Sequence, residues 1–348
     1  MSKSAAPEPA ALADGAPSPA RRSAMTTFAI RGLLGLGLLA LLLKLYGFAP
    51  IVHSLAREQP RYFLLALAIY VGGQVMSAYR WMLLARILAL RARWRDHLRW
   101  YFIGMFTNLF VPGLVGGDAA RAVYLGFHEE RFADAVASVA ADRGIGLIAL
   151  IWFAAAAGAL ITTAALPTIA VHTCALIAIA SFAGYVAAPL CGRLAARLPG
   201  KLGKLFAPVI RYLLRPLALV PALALSVLLQ VSLAYAQYLI ALGIGLNAPL
   251  SAFMVIVPMA NVVAALPLTL NGLGLREGAY LVLLAAAGVA HQDAIALGLL
   301  WFSCTMLGGL AGLIPFLLTP LPWPAPKRVV APPTSAAVVS LDGSTLGQ

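Results

Sequence analysis

Four short stretches of this chain place ionisable or backbone-breaking residues inside otherwise apolar sequence. The first is NLFVPGLVGGDAARA, which holds Asn108, Pro112, Gly113, Gly116, Gly117, Asp118 and Arg121. Gly and Pro let a chain turn within a membrane, where irregular backbone is tolerated only if buried in protein or facing a wet cavity. Asp118 stands where a helix N-cap would, three residues before Arg121, so a capped helix with an internal ion pair competes with a ligand site. The second is the adjacent pair Asp142 and Arg143 in ASVAADRGIGL. Neighbours on a helix point about 100° apart, so the two face different partners, either a ligand or a cross-helix clamp. The third is LPLTLNGLGLREGAYL, with Pro267, Asn271, Gly272, Gly274, Arg276, Glu277 and Gly278. There a Gly-rich break leads into a helix whose free N–H groups favour an anion, and Arg276 offers a bidentate phosphate contact. Glu277 is either part of that site or a simple capping acid. The fourth is Arg80 beside Trp81, a ligand cation or an interfacial anchor.

These groups need a scaffold, and the composition states which kind. Of 348 residues, 62% are hydrophobic and 11% charged, with a mean hydropathy of +0.91. Soluble domains carry about 25% charged residues. Apolar runs recur at the roughly 20-residue length that crosses a bilayer, so the chain is expected to be an all-α, polytopic integral membrane protein. Twenty-five Lys and Arg against 12 Asp and Glu give a formal charge of +13. The basic residues are not interleaved with aromatics outside the apolar runs, so they mark cytoplasmic loops and anionic lipid, not nucleic acid. No Asp or Glu occurs from Gly144 to Arg276, so the Arg residues there draw counter-charge from elsewhere.

Residues 1–24 and 321–348, rich in Pro, Ala and Ser, are expected to be disordered tails around a membrane domain at 25–320, and Met25 is an alternative start. Spans are expected at about 28–47, 62–84, 136–164, 168–190, 217–245, 251–270, 277–290 and 294–319, with 100–116 as a re-entrant hairpin broken at Pro112 and Gly113. Arg86, Arg91, Arg93, Arg95 and Arg99 place their loop inside, and the basic connector 193–215 joins them there only if 100–116 dips in and returns. On that count there are eight spans, both termini are cytoplasmic, and all four polar groups lie near the cytoplasmic face. The first and third groups also resemble one another, which points to an internal repeat of the kind transporters use.

Other chemistries fail on spacing. Gly272, Gly274 and Gly278 lack the dinucleotide-binding pattern, Gly200 and Lys201 belong to no phosphate loop, and no Ser sits in a nucleophile elbow. The five His and the cysteines Cys174, Cys191 and Cys304 have no metal-ligand or disulfide pattern. No metal, cofactor or enzymatic activity is expected. A membrane glycosyltransferase would need acids in a sizeable outer loop, where Glu58 alone occurs in the first one.

The strings NLFVPGLVGGDAARAVYL, ASVAADRGIGLIAL and LNGLGLREGAYLVL, in that order, resemble the signature segments of the lysylphosphatidylglycerol synthetase transmembrane-region family, also described as flippase-like, over about residues 28–320. The resemblance implies a membrane domain that moves an aminoacylated phospholipid between leaflets. By motif it points to Asn108, Pro112, Gly116, Gly117, Asp118, Arg121, Asp142, Arg143, Gly272, Gly274, Arg276 and Glu277. In the synthetases a soluble aminoacyl-transferase domain follows; here residues past 320 are a short Pro-rich stretch, so the resemblance does not extend to lipid aminoacylation. Two functions are expected from this. One is a lipid translocase in the cell inner membrane, with Arg80, Arg121, Arg143 and Arg276 on an anionic phospholipid or polyprenyl-phosphate head group and Asp118, Asp142, Glu277, Asn108 and Asn271 orienting or coupling. The other is an accessory subunit of a separate lipid-modifying, glycosyltransferase or hopanoid pathway enzyme.

Overall fold

A computed structural model describes residues 47–110, 115–161, 168–197, 200–265 and 274–320, together with a few isolated positions between 33 and 45. The two terminal tails and nearly all of the span expected at 28–47 lie outside the described residues, as do Pro112, Gly113, Asn271 and Gly272. Every regular element among the described residues is a helix. Lipid offers no hydrogen bonds, so a spanning segment that does not close into a barrel must satisfy its backbone within itself.

The chain runs α1 (Phe48–Ala56), α2 (Pro60–Ile87), α3 (Trp94–Phe110), α4 (Val115–Glu129), α5 (Phe132–Leu160), α6 (Thr168–Ala195), α7 (Gly200–Leu213), α8 (Pro216–Gly243), α9 (Leu250–Ala264), α10 (Leu275–Ala285), α11 (His291–Leu310) and α12 (Leu313–Leu318). Among the described residues, five stretches are long and apolar enough to cross a membrane: Pro60–Ile87, Phe132–Leu160, Ala175–Ala195, Pro216–Gly243 and His291–Leu318. This is a polytopic helical membrane protein.

Helices α2 and α8 pack closely and antiparallel along their length. At one end the Gln59 N–H bonds the Gly243 carbonyl at 3.3 Å; at the other, the Tyr212 hydroxyl just ahead of α8 bonds the Leu84 carbonyl at 2.9 Å. The second end is the basic face. There the Glu129 carboxylate accepts the N–H groups of Arg91 and Ala92, Arg131 donates to the Leu88 and Ala89 carbonyls, and Arg211 donates to Leu88 while pairing with Asp134. The loop before α3, the α4–α5 turn and the end of the 193–215 connector therefore share one face, as the charge pattern requires.

That arrangement establishes the first hairpin. Helix α3 leaves the basic face and α4 returns to it, with Gly104 against Arg121 and Gly117 against Asn108, a pairing that runs in opposite directions along the two arms. The hairpin is longer than the apolar run at 100–116, because its return arm carries Asp118, Arg121 and His128 and does not register as hydrophobic.

A second hairpin enters from the opposite face. Helix α9 begins beyond Gly243, and α10 ends before a turn that brings Asp293 of α11 to Ser54 and Arg57, beside the Gln59–Gly243 contact. The expected spans 251–270 and 277–290 correspond here to helices 250–264 and 275–285 that pack on each other. At 1.5 Å per residue these arms are about 22 and 16 Å long, short of the roughly 30 Å hydrocarbon core. Among the described residues the two larger apolar clusters gather Ile240, Phe253, Tyr280, Leu284 and Trp301, and Trp81, Leu84, Ile103, Leu125 and Ala149; a small third one joins Ile51 and Ile295.

Candidate functional site

Where the first hairpin meets α2, α5 and α8, the first, second and fourth sequence groups join in one network. The approach of α3 to α4 depends on two glycines. A Cβ on Gly104 would lie 2.8 Å from the Gly117 carbonyl oxygen, and one on Gly117 would collide with Gly104 and Asn108. With no side chain between the arms, Asn108 Oδ1 accepts the Gly117 N–H at 2.6 Å, capping one of the free donors at the start of α4.

One turn on, Asp118 and Arg121 pair at 2.5 Å, as the spacing of three residues predicts. Arg121 also extends to α5, where its Nη1 donates to Asp142 Oδ2 at 2.9 Å. The other oxygen of Asp142 accepts from Arg80 Nε of α2 at 2.8 Å, and Arg80 Nη1 donates to Ser226 Oγ of α8 at 2.9 Å. Gly146, one turn beyond Asp142, leaves room for the Arg80 guanidinium, which lies 3.4 Å from where its Cβ would be. The Arg121 guanidinium is also stacked over the rings of Trp81 and Tyr101, at 5.1 and 4.8 Å, a cation–π contact that strengthens out of water. Trp81 donates to Ser138 at 3.1 Å. Arg80, Trp81, Arg121 and Asp142 are all buried, so Arg80 and Trp81 are not an interfacial anchor.

Asp142 and Arg143 do face different partners. Arg143 turns to Asp118, with Nε to Oδ2 at 2.7 Å and Nη2 to Oδ1 at 3.0 Å. Its side chain is 49% exposed, against 2% for Asp142. Three guanidiniums against two carboxylates leave one positive charge in excess, and Arg143 is where that charge meets the surroundings. Arg80 lies seven residues from the end of α2 and Arg143 eleven from the start of α5, about 10 and 16 Å from the basic face. The network thus lies about two to three helical turns in from the basic ends of α2 and α5.

The third group is built differently. Gly274 has φ 79°, a conformation glycine adopts without strain, and its N–H is accepted by Glu277 Oε2 at 2.6 Å. Glu277 is fully buried against Gly298 of α11 and caps its own helix; its second oxygen has no partner. Arg276 makes no ion pair among the described residues and its Nε is buried unpartnered. Among the described residues, group three does not join the hydrogen-bonded network. The link between them is Tyr70 of α2, which lies within electrostatic reach of Arg143, Tyr101 and Arg276. Its ring is held edge-on to Trp301 at 5.5 Å and against Gly308. Arg143 of the network and Arg276 of the second hairpin thus both act electrostatically on one tyrosine.

Ser226, Tyr101, Tyr70, Gly104 and Gly146 belong to this site and were not singled out in the sequence. Ser226 and Tyr70 lie in apolar runs where nothing marks them; Gly146, in the GIG that follows Asp142 and Arg143, gave a usable signal.

The fold and network define a multi-pass membrane protein with a charged cluster at the junction of a re-entrant hairpin and its spanning helices. The chain belongs to the family described as the lysylphosphatidylglycerol synthase TM region, whose profile matches residues 28–312. It is also similar to the UPF0104 membrane protein MJ1595 of Methanocaldococcus jannaschii, 31% identical over 85 residues, covering 24% of this chain and 25% of that protein. The chain thus spans about a quarter of the length of the curated relative it matches. No solved structure matches it.

Proposed function

We propose that this protein is a lipid translocase that holds an anionic head group, phospholipid or polyprenyl phosphate, at Arg143 and Arg276 while the acyl or isoprenoid chains remain in the bilayer. The observation that carries this reading is the half-exposed Arg143, about 16 Å inside the domain and braced by Asp118 against a buried clamp. A cation at that depth costs at least about 2.5–3.5 kcal/mol if it faces lipid tails, and an anionic ligand offsets that cost. Arg80 and Arg121 have a different role from the head-group contact first expected of them. Asp142 satisfies both, so they position the site and leave Arg143 as its free charge. The basic face is cytoplasmic by the positive-inside rule, which places both termini inside and the protein in the cell inner membrane. With no nucleotide motif, movement is passive or driven by a gradient, and no bond of the lipid is broken.

The test is head-group-labelled lipid in proteoliposomes, with phosphatidylglycerol, lysyl-phosphatidylglycerol and a polyprenyl phosphate as separate arms. Wild type is expected to exchange at least one lipid faster than empty vesicles, and Arg143→Ala to abolish the difference. Rates equal to empty vesicles on all three would overturn the reading. The self-satisfied Arg80–Asp142–Arg121 clamp also suits an accessory subunit whose charges serve assembly; that reading predicts a co-purifying lipid-modifying enzyme and no exchange.

A further inference from the structure

On the face opposite the basic one, the corner between α1 and α2 buries an acid that the site above does not use. Both carboxylate oxygens of Glu58 are sealed from solvent and have no hydrogen-bond partner. The carboxylate presses on the backbone of Gly243 at the end of α8, where even a methyl group would collide with it. Beside it the Gln59 N–H bonds the Gly243 carbonyl, joining the start of α2 to the end of α8.

Among the described residues, no neighbour supplies a counter-charge. On the same corner, Arg57 is taken by Asp293 of α11 and Arg61 donates to Gln59. His53 lies on α1 and His291 begins α11, whereas α8 and α9 carry no charged residue and no ionisable group beyond Tyr235 and Tyr238. None of these acts measurably on Glu58. Burial pushes its carboxyl up to about 7, and the Phe63 backbone N–H opposes the rise. An unpaired buried carboxylate is tolerated when neutral and strongly disfavoured when ionised.

We propose that Glu58 is a proton-binding site that latches the α2–α8 corner: protonated, it packs on Gly243; ionised, it must leave for water and free that corner. The same two helices carry Arg80 and Ser226 of the charged network at their other end, so the latch acts on the pair that positions the head-group site. Its effect on lipid movement rests on the translocase reading; the latch itself does not.

The reporter is the Gln59 amide, whose hydrogen exchange, corrected for the intrinsic pH dependence, measures opening of the corner in the full-length protein in nanodiscs. In wild type, opening is expected to rise with pH between about 4.5 and about 7, approaching tenfold per pH unit, and to level off above 7. Glu58→Gln should stay protected from pH 5 to 9, and Gly243→Ala should be open at every pH. A wild-type opening that does not change between pH 5 and 9, or a pH response that survives in Glu58→Gln, overturns the latch. Lipid exchange measured across the same pH range separates the two claims. PH-dependent opening with no lipid exchange leaves the latch standing and removes the translocase.

Discussion

Neutralising Asp142 tests the clamp most directly. Asp142→Asn keeps the shape of the side chain but removes the charge shared by Arg80 Nε at 2.8 Å and Arg121 Nη1 at 2.9 Å. Arg121 retains Asp118, so the damage falls mainly on Arg80, which is left buried with only the Ser226 hydroxyl. Removing one partner of a buried pair typically costs about 3–5 kcal/mol. At about 2–4 °C per kcal/mol for a chain of this order of size, the unfolding midpoint should fall by roughly 10 °C. Thermal unfolding in detergent, followed by tryptophan fluorescence, reads this directly, since Trp81 sits beneath Arg121. The control is Arg143→Ala, which removes an exposed pair worth at most about 1 kcal/mol and should shift the midpoint by only a few degrees. Arg80→Met in the Asp142→Asn background removes the stranded charge and should recover part of the loss, giving a non-additive cycle. An Asp142→Asn midpoint within 2 °C of wild type by about the same scale, or strict additivity in the double variant, would refute the view that Asp142 neutralises two buried cations.

Further outcomes follow from the same geometry. Gly117→Ala forces the hairpin arms apart and uncouples Asn108, and is expected to cost about 1–3 kcal/mol, read as a lowered midpoint; Asn108→Ala alone should cost about 1 kcal/mol. Cysteines placed at Ala287 and Arg197 should label with an impermeant maleimide from opposite sides of the membrane, and labelling from one side would remove the opposed-hairpin arrangement. Overall stability should respond to Glu58 in a defined direction. Its folded value, about 7, lies above its ordinary 4.5, so the folded state binds the extra proton, and stability falls as pH rises from about 4.5 to about 7 and is flat beyond. Glu58→Gln should remove that slope in equilibrium unfolding across pH 4 to 8.

Much of this was legible because helices announce themselves by length. The spans at 62–84 and 168–190 fall inside α2 and α6, that at 217–245 overruns the end of α8 by two residues, and that at 136–164 overlaps all but the first turn of α5. Pro112 with its glycines marked a hairpin whose arms the structure describes on either side. The return arm α4 was hidden because hydropathy ignores a helix that carries Asp118 and Arg121. In the second hairpin, α9 and α10 are the described parts of the expected spans 251–270 and 277–290, and residues 266–273 between them lie outside the described residues. Pairing was the other limit. Asp142 beside Arg143 states that two charges point apart, and nothing in a linear pattern says that Asp142 finds Arg80, 62 residues away. Glu277 divided between two readings, and its buried bond to the Gly274 N–H makes it a cap.

The double engagement of Asp142 bears on how such a chain can change over time. Its two oxygens answer to cations on two other helices, so loss of Asp142 strands Arg80 in a place that water does not reach, whereas loss of either arginine leaves Asp142 with the other. A lineage that loses Asp142 before Arg80 passes through a poorly folded intermediate, whereas the half-exposed Arg143 carries no such obligation. Substitution is therefore least costly at Arg143, while Asp142 behind it can be replaced only together with Arg80.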